Sequence, residues 1–133
     1  MRGVATAIIV ATGLGGLIGS AFAAEMSGAD IKALLAGKTA YVETTAASAG
    51  GIAGQTVIYW GDDGTALYKS PAGTIMHGKW EIKGNTLCAD WKERPTAGCV
   101  RYDKTGDVVT AYDVASGQLR AKIMKTARAT LKS

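Results

Sequence analysis

Apolar positions recur at two different spacings along this chain. Over 28–36 they come at helical intervals, with Ile31, Leu34 and Leu35 on one stripe. Ser27 stands before that stretch with Asp30 three residues on, close to a capping box, and Gly37 follows where a helix usually stops. One short helix is predicted over 28–36, and its stripe must dock on something. From Lys38 the period drops to two. Strands are predicted over 38–44, 55–60, 65–69, 74–83, 86–92, 98–103, 107–114 and 118–126. Turn residues stand at nearly every joint, as in Gly61-Asp62-Asp63-Gly64 and Ser70-Pro71-Ala72-Gly73. Segment 46–54 is small and featureless and reads as a flexible loop. No second long helix is available for parallel crossovers, so the sheet should be antiparallel.

Turn chemistry sets a register for the later strands. Gly84-Asn85 suits a two-residue hairpin loop. It pairs Ile82 with Leu87, Trp80 with Ala89 and Gly78 with Trp91 on one face. Lys79 and Asp90 then oppose each other on the other face as a charge pair. Ser116-Gly117 read as a two-residue loop pairs Val114 with Leu119, Tyr112 with Ala121 and Thr110 with Ile123. Lys104-Thr105-Gly106 read as a three-residue loop pairs Tyr102 with Val108 and Val100 with Thr110. The inner face then carries Met76, Trp80, Trp91, Tyr102, Tyr112 and Ile123 among small Gly78, Ala89 and Ala121. Lys79, Glu81, Asp90, Arg101, Arg120 and Lys122 point outward. Cys88 and Cys99 also fall on the outer face.

Eight short antiparallel strands with a mixed large and small inner face predict a mainly β fold. The favoured form is a small eight-stranded meander barrel, lipocalin-like in outline, plugged or flanked by the N-terminal helix. A two-sheet β-sandwich is the alternative. A membrane-spanning barrel is disfavoured, because its outward residues would form an apolar band.

The N-terminus speaks to compartment. Arg2, the apolar run over 4–18 and Ala21-Phe22-Ala23 match a secretory signal peptide cleaved after Ala23. The run is shorter than the ~20 residues of a membrane span. No cysteine lies near the cleavage site, so a lipoprotein anchor is not expected. Residues 1–23 are thus read as a signal peptide and 24–133 as one small β-barrel domain, periplasmic or secreted. Cys88 and Cys99 are the only cysteines, and an even pair in an oxidising compartment predicts a disulfide. Its short loop gives roughly 2–3 kcal/mol in the chain-entropy model. Ten intervening residues do not suit C-x-x-C redox chemistry. The net charge is +4, and no acid follows Asp113. Arg120, Lys122, Lys125, Arg128 and Lys132 therefore form a basic end that could rest on an anionic envelope surface.

Several stretches resemble small exported bacterial proteins of unknown function. They are SGADIKALLAGKTAYVE at the helix-to-strand start, the Asp63-Gly64-Thr65 turn, GKWEIKGNTLCADW over 78–91 and CVRYD over 99–103. The most specific part is the pattern G-x-W…G-x-x-L-C…C-V. The resemblance covers most of the chain beyond the leader and implies a lipocalin-like barrel with one Cys pair. It implies no activity. Gly78-Lys79-Trp80 is similar to the lipocalin G-x-W, which in that family belongs to the first strand, so no lipocalin ligand is carried over.

Little in the sequence points to catalysis. His77 is the only histidine and falls on the outer face, without a nucleophile elbow nearby. Asp62-Asp63-Gly64 lacks the later oxygen ligands of a calcium loop. Glu81 and Asp90 share a face, but Lys79 accounts for Asp90. No Gly-rich phosphate loop opens a helix. The chain is therefore expected to be a non-catalytic binding or accessory module, with no cofactor or metal implied. Tyr59, Trp60 and Tyr68 flank one turn and form the candidate recognition patch. The partner would be a periplasmic protein, for example an envelope hydrolase that the module inhibits, or a small apolar ligand in the barrel. A structural or stress-related envelope protein using the basic end is the further alternative. Export and modest charge argue against nucleic acid.

Overall fold

The computed structural model describes residues 23–94 and 98–128. The predicted leader, apart from its last residue, and Lys132 lie outside the described residues. In chain order the elements are β1 (Ala24–Glu25), α1 (Gly28–Leu35), β2 (Lys38–Thr44), β3 (Gly54–Trp60), β4 (Thr65–Lys69), β5 (Ile75–Lys83), β6 (Thr86–Trp91), β7 (Gly98–Thr105), β8 (Val108–Asp113) and β9 (Leu119–Ala127). From β2 onward each strand pairs antiparallel with the next, and β9 returns to pair with β2. The result is a closed eight-stranded meander barrel, and the sandwich alternative is excluded. Burial alternates as a closed sheet requires. Thr56, Ile58 and Trp60 face in from β3, and Ala66 and Tyr68 from β4.

The helix plugs one end. Ser27 caps it, accepting from the Asp30 N–H at 3.1 Å, and Gly37 follows with φ 73°. Ile31 and Leu35 are fully buried in the barrel core. The helix start rests on the β5–β6 hairpin. The Gly28 N–H donates to Asn85 Oδ1 at 2.9 Å. A Cβ on Gly28 would run into Gly84 O and lie 2.8 Å from Ile82 Cγ2, so only glycine permits this approach.

One strand goes beyond the eight predicted. β1 pairs Ala24 with Lys104 and Glu25 with Asp103, and the Met26 N–H donates to Tyr102 O at 2.8 Å. It fills the β7 edge that β6 leaves open. β6 and β7 share only three ladder pairs, against seven between β2 and β3. The Cys88–Cys99 disulfide crosses that same short seam at directly opposed positions, on the outer face. The weakest seam of the ring is thus closed by a covalent bond and an added strand.

The β5–β6 register is as predicted, including Trp80 opposite Ala89 and Lys79 opposite Asp90. The next two hairpins differ. Thr105 pairs with Val108 across a two-residue Gly106-Asp107 turn, with Gly106 at φ 60°, so the three-residue loop is wrong. The β8–β9 connection is longer than the predicted Ser116-Gly117 turn. Tyr112 pairs with Leu119 and Ala111 with Ala121. The cause is local: the Asp113 carboxylate accepts from both Ser116 N–H and Ser116 Oγ at 2.8 Å and holds a wider loop. Both changes flip the face of β8. Val109 and Ala111 point inward, while Tyr112 lies outside under the Arg101 guanidinium, 4.6 Å from its ring centre.

Candidate ligand cavity

The barrel end away from the helix is not filled. A cavity of about 70 Å³ opens there. One wall is aromatic. Trp60, Trp91 and Tyr68 meet at ring-centre distances of 6.2 Å and 5.4 Å, and Trp80 backs Trp60 at 5.6 Å. Strands β6 to β9 add the small residues Ala89, Gly98, Ala111 and Ala121, beside Leu87, Val100, Tyr102 and Arg120. The G-x-W tripeptide has its reason here. A Cβ on Gly78 would lie 2.6 Å from Trp91 Cε3, so the glycine makes room for the indole that lines the cavity.

Segment 46–54, predicted to be a flexible loop, is folded over this end. Ser48 is buried and Ala49 packs on the core. The Tyr68 hydroxyl donates to Ser48 Oγ at 3.2 Å and accepts from the Gly50 N–H at 3.3 Å. Thr44 Oγ1 lies 2.9 Å from Ile52 O and 3.0 Å from Gly54 O. Arg94 reaches from the β6–β7 connection and donates to Gly50 O at 3.0 Å. Small residues let the backbone tuck in, and these polar anchors hold it.

Arg120 is the main departure from the predicted outer face. The register shift between Ala111 and Tyr112 leaves a bulge in β9 at Arg120. A bulge redirects a side chain, and Arg120 lines the cavity. Its Nη1 donates to Asp113 Oδ1 at 3.0 Å, and the two side chains are only 17% and 21% exposed. Ser116 hydrogen bonds chiefly hold the Asp113 carboxyl below the usual carboxylate range, with help from Arg120. Among the described residues, Nη1 is the only guanidinium nitrogen of Arg120 with a partner. Tyr102 lines the same cavity at 4% exposure. Its hydroxyl has no hydrogen-bond partner among the described residues. Burial raises its pKa far above the ordinary phenol value, and the nearby Arg120 charge opposes that rise only in part.

The other predicted site residues separate. Trp60 and Tyr68 come together inside the barrel, whereas Tyr59 is half-buried on the opposite face of β3, so the three form no surface patch. Alternation decides this, since Tyr59 and Trp60 are neighbours on one strand. In the basic set, Arg120 leaves the surface. Lys122, Lys125 and Arg128 are exposed, and Lys125 lies 4.8 Å from the Tyr41 ring centre. His77 is outward, as predicted. Glu93 accepts from the His77 N–H at 2.6 Å and meets His77 Nδ1 at 2.5 Å. Those bonds lower the Glu93 carboxyl to about 2. In the Asp63 turn, Thr65 N–H and Oγ1 both donate to the Asp63 carboxylate and lower its pKa. Among the described residues no group of three His, Cys, Asp or Glu could hold a metal ion, and no helix is long and apolar enough to cross a membrane.

Comparison of the chain with protein-family models, curated proteins and solved structures gives no significant match. The cavity is therefore read from its own geometry.

Proposed function

We propose that this protein is a non-catalytic binding module that takes a small, largely apolar molecule into the open end of its barrel. The observation that carries this is the cavity itself, apolar on both walls and roofed by an anchored loop. A core built only for stability would be packed, because unfilled space forfeits dispersion contacts. The polar groups that line it are few, as in small-molecule sites generally. Among its described lining residues there is no carboxylate, imidazole or thiol, which favours binding over acid–base or nucleophilic chemistry. The disulfide fits an oxidising compartment. With the signal-like leader over 1–23 and the resemblance to small exported bacterial proteins, it supports a periplasmic or secreted carrier or sensor.

A protein partner at the same end is the second reading. Ile52, Val114 and Leu119 are exposed apolar residues in or beside the connections at that end. Native mass spectrometry of the processed protein from its own cells separates the two. Binding in the cavity is expected to show as a small added mass, released on unfolding. A stoichiometric co-purifying protein would favour the second reading. A bare monomer that no small apolar compound stabilises against heat would overturn the first.

A further inference from the structure

We infer that the ligand is a small monocarboxylate, with its carboxylate held by Arg120 and the Tyr102 hydroxyl and a short apolar tail against Trp60 and Trp91. This rests on the cavity-binding reading and names its ligand class. Three observations lead to it. First, a hydroxyl buried as deeply as that of Tyr102 normally has a partner, and leaving one without costs about 1–3 kcal/mol. An acceptor delivered by a ligand supplies what the protein lacks. Second, a guanidinium carries five donors in a planar fork suited to a carboxylate, and Arg120 commits only Nη1 within the described protein. The β9 bulge is what brings it to the cavity rather than to the surface.

Third, charge and volume limit the head and tail. Asp113 takes one donor of Arg120 and offsets part of its charge, so a singly charged head fits better than a phosphate dianion. A fully enclosed apolar cavity of about 150 Å³ takes benzene. The cavity here, about 70 Å³, encloses by proportion about three non-hydrogen atoms, the carboxylate head alone. The ligand class is thus a short-chain carboxylate whose tail, up to about butyrate length, extends from the head along Trp60 and Trp91 toward the open mouth. A longer tail would have to displace the loop over 45–53.

The test is an NMR titration of the processed, disulfide-bonded protein with butyrate, 1-butanol and butylammonium. Butyrate is expected to bind at least tenfold tighter than butanol, and butylammonium more weakly than either, the scale of a charge-assisted hydrogen bond. Tyr102→Phe should weaken butyrate severalfold, leave butanol unchanged and keep or raise the melting temperature, because it removes an unpartnered hydroxyl. A merely structural tyrosine would give the reverse, lower stability with butyrate binding intact, and that would overturn the assignment. Arg120→Gln should remove the preference for butyrate over butanol. Equal binding of butyrate and butanol to the unaltered protein would overturn the carboxylate inference and leave the cavity reading standing. If neither compound shifts the Trp60 and Trp91 indole resonances, both readings fall.

Discussion

The two ends of the barrel are built on opposite rules. At the helix end the turns are tight, with two-residue loops at Gly84-Asn85 and Gly106-Asp107. Ile31 and Leu35 are fully buried there, and even the Trp80 indole N–H is satisfied, donating to Gly61 O at 2.8 Å. At the other end the connections are long, small residues leave a void, the Tyr102 hydroxyl has no partner among the described residues and a cation lines the cavity. On the proposed reading, local stability and binding are drawn from different parts of one fold. The single continuous sheet lets the packed end hold the loosely packed end in shape.

Core truncation gives the largest predicted contrast. Leu35→Ala at the helix end is expected to lower stability by about 2–5 kcal/mol, read by urea or thermal denaturation, and a loss under about 1 kcal/mol would show that the helix is not part of the cooperative core. A smaller contrast comes from adding volume. Ala40→Leu, at a fully buried position on β2 near the helix end, should cost about 1–3 kcal/mol by overpacking. Ala111→Leu on the cavity wall should stay within about 1 kcal/mol of the parent and abolish ligand binding. Equal costs at the two positions would mean that the open end is as tightly filled as the other.

The smallest effect is electrostatic and belongs to the cavity end. Glu93 titrates at about 2 in the folded chain against an ordinary 4.5, because the His77 N–H and ring favour its ionised form. A carboxyl depressed on folding contributes stability that is complete above its unfolded value and is lost as pH falls through the folded one. Its contribution should therefore fade between about pH 4.5 and 2. Carbon-detected NMR titration of Glu93 measures this directly, and His77→Ala should return the carboxyl toward its ordinary value.

How far the sequence revealed the fold follows the same division. Strands 38–44 and 65–69 match β2 and β4 to the residue. The hairpin at Gly84-Asn85 gave the right faces because Trp80, Leu87 and Trp91 leave no ambiguity about phase. The phase of β8 is not legible in the sequence, because VVTAYD is apolar on both faces, with Val109 and Ala111 alternating against Val108 and Tyr112. Nothing in the period chooses between those sets. The deciding group was Asp113, whose capture of Ser116 lengthens the loop. The same ambiguity hides Arg120, since a bulge has no signature in alternation. Trp60 and Tyr68 both line the cavity, whereas closeness in sequence groups them with Tyr59. Following the phase from Thr56 through Ile58 would have placed Trp60 inside.

The closure of the ring by β2 and β9 has a consequence for how the chain reaches this state. Residues 39–44 find their partners at 121–127, almost at the far end of the sequence. Until that last strand arrives, β2 offers a bare row of backbone donors and acceptors, and the aromatic wall faces water. Contacts between such distant segments form slowly. A chain that has not yet placed β9 therefore presents an open sheet edge at β2. Substitutions in β9 that leave the finished barrel untouched should still show in the yield of folded protein, through the lifetime of that unclosed state.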